Sequence, residues 1–117
     1  YVPDADEKLY NPTDEDIATL KAKHPDNLHL LEYDGGSSAV VAKQPPRAEW
    51  NRLVAISAAE PAQRGRAIED FARACIVWPS HAELDAIAVE RPALLARFGN
   101  ELADLAGASE KISSKKL

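Results

Sequence analysis

Several things are scarce in this sequence, and each scarcity excludes something. There is one cysteine, Cys75, in 117 residues, so no disulfide can form within the chain and a disulfide-stapled secreted scaffold is ruled out. Aromatic residues make up 6% against a hydrophobic share of 45%; much of the remainder is alanine, so the core is expected to be modest. No apolar run approaches the ~18 residues that a membrane-spanning helix needs. Positive charge is in deficit, with 14 Lys and Arg against 19 Asp and Glu and a net charge of −5. That argues against a sequence-independent nucleic-acid binder, which displaces phosphate counterions with Lys and Arg, and against an anionic membrane surface. The opening residues Tyr1-Val2-Pro3-Asp4-Ala5-Asp6-Glu7 are acidic where a secretory leader is basic, so the cytoplasm is the expected compartment.

What is present divides the chain into an acidic tail at 1–12, one domain at 13–107 and a mildly basic tail at 108–117. Within the domain, Asn11-Pro12-Thr13 opens a helix over about 13–23. Pro12 suits a first turn, Asp14, Glu15 and Asp16 complement the positive end of the helix dipole, and Pro25 stops the helix. Leu28–Tyr33 and Ser38–Lys43 follow as two strands. Asp34-Gly35-Gly36-Ser37 between them supplies the positive φ angles of a hairpin turn. A two-stranded hairpin is marginal alone and needs cover on one face.

Pro45-Pro46 ends the second strand, because neither can donate to a ladder. From Arg47 the apolar period becomes helical. Trp50, Leu53, Val54 and Ser57 share a face, and Pro61 opens a further helix in which Ile68, Phe71, Ala72 and Cys75 do the same. That helix is expected to close at Trp78-Pro79. Ser80-His81-Ala82-Glu83 matches a capping box for a fourth helix with Leu84, Ile87 and Ala88 inward. Pro92 opens a fifth with Leu94, Leu95, Phe98, Leu102 and Leu105 inward. Gly99 interrupts that stripe at about 1 kcal/mol relative to Ala, and so marks a close helix approach or a kink. The fold class is α+β: an N-terminal helix and β-hairpin (13–43) followed by a small bundle of about four helices (47–107).

Chemistry is sparse. His24, His29 and His81 are not spaced as paired ligands and no second cysteine exists, so no metal and no cofactor is expected. Cys75 lies on an apolar stripe, where a free thiol is a buried and inert hydrophobe. The sequence has no nucleophile elbow, phosphate loop or dinucleotide fingerprint, and the expectation is no enzyme. Arg47, Arg52, Arg64, Arg66 and Arg73 gather around the second and third helices, but Glu49, Glu60, Glu69 and Asp70 interleave with them as a solvated face does. Trp50 belongs to a core stripe. Trp78, at an element end before Pro79, is a candidate contact residue.

The run Lys43-Gln44-Pro45-Pro46-Arg47-Ala48-Glu49-Trp50-Asn51-Arg52, the run Cys75-Ile76-Val77-Trp78-Pro79 and the segment Phe98-Gly99-Asn100-Glu101-Leu102 resemble the small tail assembly chaperone-like proteins of tailed phages. The likeness covers about 13–106. It implies a non-enzymatic protein that binds the tape-measure or tail-tube protein during virion morphogenesis in the host cytoplasm. The contact is expected at the hairpin edge or near the helix ends, with Trp78, Arg52, Tyr33 and Val41 as candidate protein-binding residues. The alternative is a small acidic binding or inhibitor module acting on a host protein such as a nucleic-acid enzyme. Neither reading calls for nucleic acid or a membrane.

Overall fold

The computed structural model describes residues 10–24, 27–108 and 110–117. The acidic stretch 1–9 and the helix stop at Pro25 lie outside the described residues. The elements are α1 (Asp14–Lys23), β1 (Leu28–Tyr33), β2 (Ser38–Lys43), α2 (Arg47–Ala59), α3 (Arg64–Cys75), β3 (Ile76–Trp78), α4 (His81–Glu90) and α5 (Leu94–Leu105). The α+β class and the order of helix, hairpin and helical part are those read from the sequence.

Local chemistry sets the boundaries. Thr13, not Pro12, is the hinge into α1: its hydroxyl accepts the Asp16 N–H at 3.1 Å while the Asp16 carboxylate accepts the Thr13 N–H at 3.0 Å, a reciprocal capping box. Ser80 caps α4, its hydroxyl accepting the Glu83 N–H at 3.3 Å. Pro61 opens a 3-10 turn, Pro61–Gln63, ahead of α3. Pro92 precedes α5, whose first helical residue is Leu94.

The principal correction concerns Cys75-Ile76-Val77-Trp78. The helix stops at Cys75, and Ile76–Trp78 form a strand against β2. Two β-branched residues and a tryptophan pack well on a pleated surface and poorly in a last helical turn. The sheet is therefore antiparallel and three-stranded among the described residues, in the order β1-β2-β3. Directly opposed residues share a face, so the pairing sorts the sheet. His29, Leu31 and Tyr33 stand beside Ser38, Val40 and Ala42 on one face, and Leu28, Leu30 and Glu32 beside Ala39, Val41 and Lys43 on the other.

The first face carries the core. Leu31, Val40, Ala42 and Ile76 pack with Leu53 of α2, Phe71 and Cys75 of α3, Leu84 and Ile87 of α4, and Leu95, Phe98 and Leu102 of α5. α3 packs tightly on α5 at Gly99: a Cβ there would fall 2.6 Å from the Ile68 carbonyl oxygen and Cγ2. Gly99 thus marks a close approach. Val54, placed inward by periodicity, is 48% exposed; the stripe of α2 is narrower than its sequence implies. On the second face, Ala39 and Val41 are also buried, and the Ala39 N–H donates to the Tyr10 carbonyl at 2.7 Å, which ties the chain entering α1 to the rim of β2.

Candidate functional site: the open edge of β1 and its groove

Among the described residues β1 is a sheet edge, and its hydrogen-bond phase can be read from its start. One step beyond the Leu28–Lys43 pair, the Gln44 N–H donates to the Asn27 carbonyl at 3.0 Å. In an antiparallel ladder hydrogen-bonded and non-hydrogen-bonded pairs alternate. His29, Leu31 and Tyr33 therefore spend their backbone groups on β2, and Leu28, Leu30 and Glu32 turn theirs away from it, toward the open side. The bond from Ala39, opposite Glu32, to Tyr10 on the other side of β2 has the same phase. Natural edges are commonly blunted by Pro, Lys or a bulge; β1 has none of these and leaves Leu30 48% exposed.

A groove of about 550 Å³ runs along this edge, between Leu30–Asp34 and Arg91, Leu94, Arg97, Phe98 and Glu101. Its floor is apolar because α5 turns Leu94 and Phe98 inward. Its upper end is fixed by the hairpin turn. Asp34, Gly35 and Gly36 have φ of 53°, 67° and 89°, left-handed values that glycine adopts freely and aspartate tolerates. With the chain bent this way, the Asp34 carboxylate sits almost buried, at 5% side-chain exposure. Arg91 Nη1 donates to Oδ1 at 2.6 Å and to Oδ2 at 2.5 Å. Arg91 also lies over the Tyr33 ring, 5.7 Å from its centroid, and Tyr33 meets Phe98 edge to face at 5.4 Å. Burial raises the Tyr33 hydroxyl above its usual 10.0, partly opposed by its hydrogen bond with the Ser38 side chain. The turn is thus locked to the segment joining α4 and α5. At the lower end the His29 ring bonds Gln44 Oε1 at 2.7 Å, and Gln44 Nε2 donates to the Leu105 carbonyl at 2.8 Å, fixing the start of β1 to the end of α5.

The four residues proposed from sequence do not converge. Tyr33 lines the groove. Val41 lies in the central strand at 4% exposure, so its side chain is withheld from any partner; the run Ser38–Ala42 is buried throughout because both faces of β2 are covered. Arg52 is exposed on α2 and pairs with Glu49 at 3.4 Å. Trp78 is on β3, two strands from the open edge of β1, and is partly buried beside Val41. Sequence reasoning missed Arg91, Arg97 and Glu101. The one signal available for them was the spacing of Arg97 and Glu101, which places both on the side of α5 that also carries Leu94 and Phe98.

Among the described residues no group of three or more His, Cys, Asp or Glu side chains is arranged to hold a metal, and no helix is long and apolar enough to cross a membrane. Cys75 is fully buried, and burial pushes its thiol up from 9.0 to about 11. A thiol so placed stays protonated at neutral pH and is a poor nucleophile.

The model of one family matches residues 20–115. This chain belongs to the family described as domain of unknown function DUF6848. The match begins within α1 and takes in β1, the turn, Arg91 and α5, hence every part of the groove. Among solved structures it is similar to the uncharacterised protein rbstp2171 from Bacillus stearothermophilus, with a TM-score of 0.70 and 23% identity over 85% of this chain and 99% of that one. That likeness establishes the shared fold. No curated protein matches.

Proposed function

We propose that this DUF6848 protein is a non-enzymatic polypeptide-binding protein that takes up an extended segment of another chain by strand addition to β1. The observation that carries the reading is the edge itself: outward backbone groups at Leu28, Leu30 and Glu32 that no strand among the described residues pairs with, on a strand without Pro, Lys or a bulge, beside a partly apolar groove. Main-chain hydrogen bonds supply affinity in this mode, and alternate side chains supply specificity. An edge of one short strand suits binding that must later be reversed. The resemblance to tail assembly chaperone-like proteins gives the partner class: the tape-measure or tail-tube protein of a tailed phage, held before the tube polymerises.

The test is co-expression of the chain with tape-measure and tail-tube proteins, with capture on a tag. The expected result is retention of one of them, and loss of retention when Leu30 is replaced by proline. Retention of neither, with capture of a nucleic-acid enzyme instead, would move the assignment to the acidic inhibitor reading.

A further inference from the structure

The phase of β1 and the charges around it say more than that a strand can dock; they specify which strand. We infer that the segment received by β1 runs antiparallel to it and reads basic-apolar-apolar from its N-terminal end, the basic residue opposite Glu32 and the apolar ones opposite Leu31 and Leu30. The inference rests on the reading of β1 as a strand-accepting edge and adds direction, register and charge to it.

Direction follows from the outward groups. In an antiparallel pair, residues facing Leu28, Leu30 and Glu32 exchange both backbone hydrogen bonds with them, whereas a parallel pair forms slanted bonds and is slightly less stable. Faces follow from register, since opposed side chains lie on the same side of a sheet. The residue opposite Leu30 covers a leucine left 48% exposed, so it is apolar. The residue opposite Leu31 is on the helical side, over Leu94 and Phe98 in the groove, and is apolar too.

Charge decides the third position. Of the two arginines in the groove, Arg91 is bound by the Asp34 carboxylate. Arg97 stands one turn before Glu101 on the same side of α5, with no direct ion pair between them, and the two opposite charges offset each other along the groove. Glu32 remains: it is exposed, points its backbone groups outward, and has no ion pair among the described residues. An opposite charge directly across from it is favourable and a like charge is not.

The test uses the full chain and three capped peptides: Thr-Lys-Val-Val-Thr-Thr, its counterpart with Glu for Lys, and the Lys peptide N-methylated at the lysine and the second valine. Backbone amides are followed by NMR. The Lys peptide is expected to shift the amides of Leu28, Leu30 and Glu32 in a saturable way. The Glu peptide should bind severalfold more weakly and the methylated one not at all, and Glu32→Lys should reverse the preference. Shifts centred on β3, no saturable shift, or a preference unchanged by Glu32→Lys would overturn the proposal. So would concentration-dependent shifts of the same amides without peptide, which assign the edge to a second copy of this chain. The two readings fail separately. If Glu32→Lys still captures a tail protein at full strength, the adhesive edge stands and the charge rule falls. If no tail protein is captured while the peptide preference holds, the phage assignment falls and the charge rule stands.

Discussion

Two residues show how burial alone decides chemistry here. Cys75 sits behind Phe71 and Ile76 in the core, and its thiol is pushed up to about 11 because no water reaches a thiolate there. The folded chain holds that proton more tightly than the unfolded chain, so the associated stability is fully present below about pH 9 and is lost as pH rises through about 11. The loss amounts to about 2–3 kcal/mol by the usual conversion. Urea titrations from pH 8 to 11 should show this decline in the wild type and a shallower one in Cys75→Ala, which starts from lower stability because of the cavity. Thiol reagents at neutral pH should label the native protein far more slowly than the unfolded chain. Asp34 is the second case. Its carboxylate is nearly buried and depends on Arg91, which itself keeps about a third of its side chain in solvent. Removing the arginine strands a buried charge, whereas removing the carboxylate frees a cation that can reach water. Arg91→Ala is therefore expected to cost about 3 kcal/mol and Asp34→Asn less, as measured by chemical denaturation. An equal or reversed ranking would mean that the pair does not lock the turn.

At the scale of elements, the hairpin and the four following helices were legible because composition, period and punctuation agree: two apolar runs around the Asp34-Gly35-Gly36-Ser37 turn, then apolar residues three and four apart behind Pro46, Pro61 and Pro92, with Ser80 as a cap. β3 was not legible, because a three-residue strand carries no period and its Ile-Val-Trp composition was the only signal. The groove was illegible for a different reason. Arg91 and Asp34 are 57 residues apart and no local rule pairs them. Glycines give the sharpest element-scale test. A Cβ at Gly99 meets Ile68 backbone and side chain at 2.6 Å, while one at Gly65 of α3 meets nothing within 4 Å. Intrinsic helix preference favours alanine at both, by up to about 1 kcal/mol. Gly99→Ala should nevertheless destabilise by about 1–3 kcal/mol, since α3 and α5 must separate, and Gly65→Ala should stabilise by about 0.5 kcal/mol. Thermal midpoints moving in the same direction for both would show that the α3–α5 contact is looser than described.

For the molecule as a whole, the informative asymmetry is between the two sides of the sheet. One face of the sheet is closed by four helices, the inner strand is buried on both faces, and β1 is left as an edge with its turn and its start pinned at either end, by Asp34–Arg91 and by Gln44–Leu105. A strand held rigidly at both ends loses little entropy when a second strand pairs with it, which favours addition over local unfolding. Trp78 lies on β3, where it packs beside Val41 and contributes to the body of the sheet. Two substitutions separate these roles. Leu30→Pro removes one outward N–H that takes no part in the β1–β2 ladder, a position where proline is tolerated, so the fold should survive by circular dichroism while capture of the partner drops at least about tenfold for lost pairing. Trp78→Ala should lower stability by about 2–3 kcal/mol and leave capture by the folded protein nearly unchanged. The reverse pattern, with capture lost on replacing Trp78 and kept on replacing Leu30, would place the binding surface on the β3 side and refute strand addition at β1.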